Sequence, residues 1–317
     1  ERACGNPLFG EEVLNFLIER GALSLVNGEA VYDQAAAETS LPTSLQSLLT
    51  ARIDRLPQED RALLQVAAAI GRSFDPGLLA EVGGGLDHTD AALQRLEGLD
   101  LVQRETGSSS YIFKHVLLKD SLYQSLLSQR RAELHEAIAK ALERRHEGRL
   151  LSVADSLAHH YALTDCGALA FTYLVMAGVK SVSVFSLDEA DRYFSAALLI
   201  YEKDPTCASD EDVAKLAANY GRCCNMSMRV TSTIALANKL RPILNRLGDH
   251  IYHVFFLHHY ASSLVWNGRY LDAVKVQQDL LDMAKRLGDP KSLAYALVSD
   301  LSVSSYGAPK SLEDYRR

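Results

Sequence analysis

Apolar positions recur along most of this chain at the three- and four-residue spacing of amphipathic helices, and only a few short stretches break that rhythm. The first periodic segment runs from about Phe9 to Leu23, with Val13, Leu14, Leu17 and Ile18 on one face. LSLVNGEAVYD follows. Extended residues there flank Asn27 and Gly28, the dipeptide that best tolerates the two positive-φ positions of a type I′ turn, so a small hairpin is expected. From Leu41 the pattern is helical again, with Thr43 and Gln46 as a capping box ahead of Leu45, Leu48, Leu49, Ile53 and Leu56. A second helix carries Leu63, Leu64, Ala67 and Ile70. Asp75 and Pro76 supply an N-cap and an N1 proline for a third, with Leu78, Leu79 and Val82, closed by the glycines 83 to 85. Thr89 caps a fourth, with Leu93, Leu96 and Leu99 inward. LVQRE and SYIFKH are then extended around the loose turn TGSSS. Helices followed by such a hairpin make a winged helix.

From about His115 onward the pattern is helix after helix, as in a superhelical repeat array. NRLGD at Asn245 to Asp249 recurs as KRLGD at Lys285 to Asp289, 40 residues on, which fits a two-helix repeat slightly longer than a tetratricopeptide unit. Small and large residues fall where paired helices need them: Gly178, Ala190, Phe194 and Ala197 in one unit, Gly268, Tyr270 and Ala273 in another. Gln277 stands where the second unit should have its aromatic, so that unit is degenerate. The expected fold is therefore mainly α: a winged-helix domain with small β-hairpins, over about residues 26–130, followed by a tetratricopeptide-like helical repeat superhelix over about 131–317.

Composition adds mainly exclusions. With 48% hydrophobic residues in 317, there is material for real cores in two or three domains. A net charge of −7 argues against a nucleic-acid-coating surface, and no stretch reaches the length of a membrane helix. The five cysteines, Cys4, Cys166, Cys207, Cys223 and Cys224, are too scattered for a zinc knuckle and too few for a disulfide scaffold, which points to reduced thiols and a cytoplasmic protein. The chain opens on Glu rather than Met, and SLEDYRR at its end reads as the first turn of a helix, so both ends look cut from a longer protein.

GNPLFGEEVL, LPTSLQSLLTARIDRLPQEDRALLQVAAAIGRSFD, YIFKHVLLKDSLYQSLL, RRAELHEAIAKALE and LAHHYA, in that order, resemble the central region of bacterial signal-transduction ATPases with numerous domains, the STAND class. The match covers about residues 1–165 and is most similar to the ATPase region behind class III adenylate/guanylate cyclase domains. A similar region lies in large ATP-binding transcription regulators of the LuxR type. The resemblance implies that residues 1–25 are the end of the ATPase lid, and that the parent protein binds ATP or ADP with Mg. The sequence itself has no GxxxxGK[ST] run, so no cofactor and no catalytic residue are expected in these residues alone.

The resemblance makes Gly5, Asn6 and Pro7 the lid's nucleotide-sensing element, the proline packing on adenine; an ordinary capped helix start accounts for the same residues. It makes His115, between hairpin and helix, the histidine that touches the β-phosphate of ADP, against the alternative of a structural histidine beside the core residue Phe113. His159 with His160, and His258 with His259, point about 100° apart on a helix and cannot chelate one metal together, and Cys223 with Cys224 fail in the same way. The would-be recognition helix, DHTDAALQRLEGLD, sets Asp87, Asp90, Glu97 and Asp100 against Arg95, which phosphates would repel, so no DNA is expected. Partner recognition, of a protein or a small-molecule inducer, is expected on the repeats at Tyr252, Phe255, His258, His259 and Trp266, although a core role is open for each. The implied function is a regulatory sensing segment that couples the repeats to nucleotide-dependent control of an output domain, a cyclase by resemblance. The missing P-loop ATPase domain would be its partner. The rivals are the same region of a LuxR-type regulator and a plain repeat scaffold.

Overall fold

The computed structural model describes residues 45–307 and, before them, residues 13–14, 17–18, 22–26 and 29–32. Gly5, Asn6 and Pro7, the Asn27 and Gly28 turn and the Thr43 cap lie outside the described residues. Residues 13–14 and 17–18 are helical, but Leu23 is already in a strand rather than ending that helix. Strands β1 (Leu23–Val26) and β2 (Glu29–Tyr32) pair antiparallel, Leu23 opposite Tyr32, and that pairing claims the residue. The chain forms two compact units, Glu1–Arg145 and His146–Arg317.

In the first unit, α1 (Leu45–Ile53) and α2 (Gln58–Ile70) bury Leu48, Leu49, Leu63, Leu64 and Ala67. Ser73 and Phe74 form a two-residue strand, β3. Asp75 then caps α3 (Pro76–Gly83) by accepting from the Leu78 amide at 2.8 Å. Helix α4 (Leu86–Gly98) starts before Thr89, so Thr89 is not its cap. Its hydroxyl instead donates to the Gly85 carbonyl at 2.8 Å from inside the first turns. Strands β4 (Val102–Arg104) and β5 (Tyr111–Phe113) form the expected hairpin, and β3 adds to the other edge of β5 in the order β3-β5-β4. This helix order and three-stranded sheet are a winged helix. Helices α5 (Val116–Gln124) and α6 (Ser128–Arg145) complete the unit. The unit ends a helix later than residue 130 because α6 packs on α2 and α3, and Arg144 and Arg145 pair with Glu81 and Asp75 at 2.7 Å.

The second unit is helical throughout its described residues: α7 (Ala154–Tyr161), α8 (Gly167–Ser183), α9 (Leu187–Lys203), α10 (Asp210–Met226), α11 (Val230–Leu247), α12 (Ile251–Trp266), α13 (Tyr270–Leu287) and α14 (Pro290–Gly307), with short 3-10 turns between some of them. Successive helices pair as antiparallel hairpins, and α12 also packs on both α10 and α14, which is the geometry of a tetratricopeptide-like array. Gly178 is where α8 and α9 meet: a Cβ there would lie 2.5 Å from the Phe194 ring. Gln277 fills its aromatic's place by donating to the Ala296 carbonyl at 2.9 Å. The two copies of the repeated pentapeptide also match in structure. Arg246 pairs with Asp210 at 2.7 Å and Arg286 with Asp249 at 2.6 Å, each tying the end of a hairpin's second helix to the start of its first.

The turn inside each hairpin repeats too, in a way the sequence conceals. Helices α8, α10 and α12 each close with an amide reaching back five residues, Ser186 to Ser181, Arg229 to Cys224 and Arg269 to Leu264, at 2.7 to 2.9 Å. The residue before each donor is left-handed: Phe185 at φ 58°, Met228 at φ 57° and Gly268 at φ 76°. Glycine is the usual occupant of that position, so Phe185 and Met228 hold it against a steric cost. Among the described residues no helix is long and apolar enough to cross a membrane.

Candidate ligand and partner surface on the repeats

Helix α12 is apolar nearly all round, because it is covered by α10, α11, α13 and α14. What escapes cover forms a narrow stripe at helical spacing: Tyr252, Phe255, His258 and Ser262 half-buried, and Trp266 58% exposed at its end. The five residues expected to meet a partner therefore divide. Tyr252, His258 and Trp266 reach this stripe. Phe255 stacks on Tyr295 of α14 with ring centroids 4.3 Å apart and packs against the core of Val254, Leu280, Met283 and Ala296. Its first task is to hold α14.

His259 departs furthest from a surface role, being only 8% exposed. Asn225 of α10 donates to the His259 carbonyl at 3.2 Å and accepts from Ser263 at 2.7 Å, so this polar knot belongs to the α10 and α12 interface. Burial first, then the neighbouring His258 and Arg222, push the His259 imidazole down to about 3. Burial alone pushes His258 down. Both rings are neutral at pH 7. The His258 ring meets Tyr295 edge-on at 5.2 Å and His259 at 5.0 Å.

On the opposite side of α12 lies a cleft of about 640 Å³ that sequence reasoning missed, because its walls come from α11 and α13, far apart in the chain. His253 and Tyr260 help floor it, and Arg241, Lys275, Asp279 and Arg286 stand at its rim. Arg286 is occupied by Asp249 at 2.6 Å and Arg269 by Asp272 at 2.7 Å, so two of the cleft's cations already have carboxylate partners. His253 donates from Nδ1 to the Gly248 carbonyl at 3.0 Å, and burial lowers its pKa.

In the first unit His115 is the N-cap of α5, its backbone extended, its carbonyl accepting from Leu118 at 3.1 Å and its side chain 8% exposed. Phe113, fully buried, precedes it in β5. The His115 imidazole is thus buried rather than presented to a ligand, and the sequence has no GxxxxGK[ST] loop. Helix α4 offers phosphates little: Asp60, 2% exposed on its side chain, binds Arg95 through two contacts of 2.6 and 3.1 Å. Asp90 stays exposed and Lys114 is engaged by Asp100. The Asp87 side chain lies outside the described ones. Among the described residues no group of three His, Cys, Asp or Glu side chains could hold a metal ion.

No family model matches the chain. No curated protein matches it either. Among solved structures, a signal-transduction ATPase with numerous domains (STAND) protein with a tetratricopeptide repeat sensor, from Pyrococcus horikoshii, aligns with 99% of this chain at 14% identity and a TM-score of 0.35. The chain spans 57% of that protein's length. A superposition this loose carries no argument about function.

Proposed function

We propose that this chain is the regulatory sensing segment of a STAND ATPase, in which ligand or partner binding on the helical repeats controls, through a nucleotide-dependent ATPase, an output domain of the adenylate/guanylate cyclase kind. The reading places the segment in the cytoplasm, with the P-loop ATPase domain as its intramolecular partner and ATP or ADP with Mg held there rather than here. The STAND attribution rests on the ordered sequence blocks. The observation that carries the sensing role is the α12 stripe, where Tyr252, His258 and Trp266 combine contact area with polar handles beside a firmly packed core. A winged helix whose recognition helix has its arginine tied up by Asp60 favours a mechanical part over a reader of bases.

The test is made in the full-length parent. Tyr252→Ala or Trp266→Ala should abolish the inducible part of cyclic-nucleotide production in cells while shifting the melting temperature of the chain by no more than about 2 °C, as expected for residues on a partly exposed stripe. Unchanged inducible production in both variants would remove the sensing role from this stripe. A fall of many degrees with no separate loss of response would make the residues core.

A further inference from the structure

We infer that the cleft between α11 and α13 is a ligand site of its own, fitted to an elongated amphoteric molecule with an ammonium and a carboxylate at opposite ends of an apolar body. This site lies on the other side of α12 from the stripe that carries the sensing role, and is additional to it. A volume of about 640 Å³ falls within the range of small-molecule sites. The floor is largely apolar: Leu244, Phe256 and Met283 are buried, and the Phe256 ring lies nearly parallel to that of Tyr260 at 6.3 Å. Two polar groups are set into it. Tyr260 is 5% exposed and makes no hydrogen bond among the described residues, and its hydroxyl is not sealed from solvent. His253 donates from Nδ1 to the Gly248 carbonyl, and burial keeps the ring neutral at pH 7, so Nε2 is left as an acceptor.

Helix register sorts these groups, and the charges at the rim, into two ends. Helices α12 and α13 run antiparallel about the turn at Gly268. Tyr260 stands eight residues before that glycine and Lys275 seven after it, so the two are level. His253 stands fifteen before and Asp282 fourteen after, which makes them level at the other end, about two helical turns or 10 Å away. Asp279 acts on His253, in keeping with that register. At this end carboxylates are in excess: Asp249, Asp279 and Asp282 all act on Arg286, whose fork is already closed on Asp249, while Asp282 accepts from the Gln278 side chain at 3.1 Å. At the Tyr260 end, Lys275 makes no hydrogen bond or ion pair among the described residues, although Asp279 stands four residues on, at the spacing where such pairs form. Arg241 on the α11 wall has no such partner among them either. Two unanswered cations thus meet two carboxylates in excess, a balance that suits a ligand of both charges and not a simple anion. The ligand's carboxylate belongs with Lys275 and the Tyr260 hydroxyl, and its ammonium with Asp279, Asp282 and Nε2 of His253.

Methionine-methyl NMR on the intact chain tests this, because Met283 lines the cleft. The probe is 8-aminooctanoate, whose two charges are spaced by about two helical turns, titrated beside octanoate and octylammonium, which keep one charge each. A saturable Met283 shift is expected with 8-aminooctanoate, half complete below about 1 mM, and each single-charge probe should bind at least several-fold more weakly. Lys275→Met and Asp282→Asn should each weaken 8-aminooctanoate several-fold, and Lys275→Met should leave octylammonium unaffected. Trialanine, whose free termini are spaced alike, separates two sources of this chemistry: tighter binding than 8-aminooctanoate identifies a short peptide, and weaker binding an alkyl amino acid. The assignment fails if 8-aminooctanoate gives no saturable shift up to about 10 mM, if either single-charge probe binds as tightly, or if either variant leaves its affinity unchanged at the parent melting temperature. Because the titration uses the chain alone, its failure leaves the sensing role of the α12 stripe standing. Conversely, a Tyr252→Ala parent with full inducible output would remove that role without touching the cleft.

Discussion

A histidine buried to 8% exposure makes the folded chain sensitive to acid. His259 is held down to about 3 by burial, while an unfolded histidine titrates near 6.5, so below about pH 6.5 the unfolded state takes up the proton and the folded state does not. The stability this ring contributes is therefore complete above pH 6.5 and is lost progressively as pH falls toward 3, by up to about 3 kcal/mol at pH 4. His253 and His258, both lowered by burial, act in the same direction. Urea unfolding of the chain at pH 7 and pH 4 should show the loss, and His259→Gln should flatten the slope, leaving the part due to the other two histidines. A wild-type stability independent of pH over that range would show that His259 is hydrated. The pair His258 and His259 was visible in the sequence, and so was the reason it cannot chelate one ion. Which member points inward was not, because that depends on where α10 crosses, and the crossing is set by Gly221 and Asn225 on another helix.

At the scale of elements, the helix pairs were largely legible and their turns were not. Gly178 opposite Phe194 follows from small and large residues at helical spacing, and the structure places the ring where a Cβ would stand, at 2.5 Å. Gly178→Ala should accordingly destabilise the second unit by about 1–3 kcal/mol, because Phe194 is fully buried and cannot swing away. Thermal unfolding measures this, and a variant as stable as the parent would mean that α8 and α9 separate without cost. The capping of α3 by Asp75 and the hairpin of β4 and β5 were equally legible, since each is signalled by local residues. Strand β3 was missed because two residues, Ser73 and Phe74, carry no period, and they are extended only because β5 supplies a partner. The turns at Phe185 and Met228 were missed because the usual signal, glycine, survives only at Gly268. Both side chains are exposed, at 75% and 61%, so neither is kept in its left-handed position by burial.

Over the whole molecule, charge decides which large partners are admissible. The chain carries −7 overall, and most basic side chains whose contacts are described have carboxylate neighbours, from Arg144 and Arg145 in the first unit to Arg286 in the second. A duplex needs unpaired cations facing its phosphates, and the release of counterions that drives such binding scales with their number. Among the described elements the winged helix has a shape suited to a groove, and its would-be recognition helix offers few of them. Arg95 of α4 is held by Asp60, Lys114 next to the hairpin is held by Asp100, and Asp90 stands exposed on the same helix. Fluorescence anisotropy with a labelled duplex at about 150 mM salt should therefore show no saturable binding by the chain below roughly 100 μM protein, weaker than the usual nonspecific range. Asp60→Asn should release Arg95 and leave that result unchanged, because a single freed cation contributes one counterion where recognition needs several. Salt-sensitive binding at sub-micromolar protein would instead make α4 a recognition helix, and would move the parent protein from the cyclase-controlling kind to the transcription regulators.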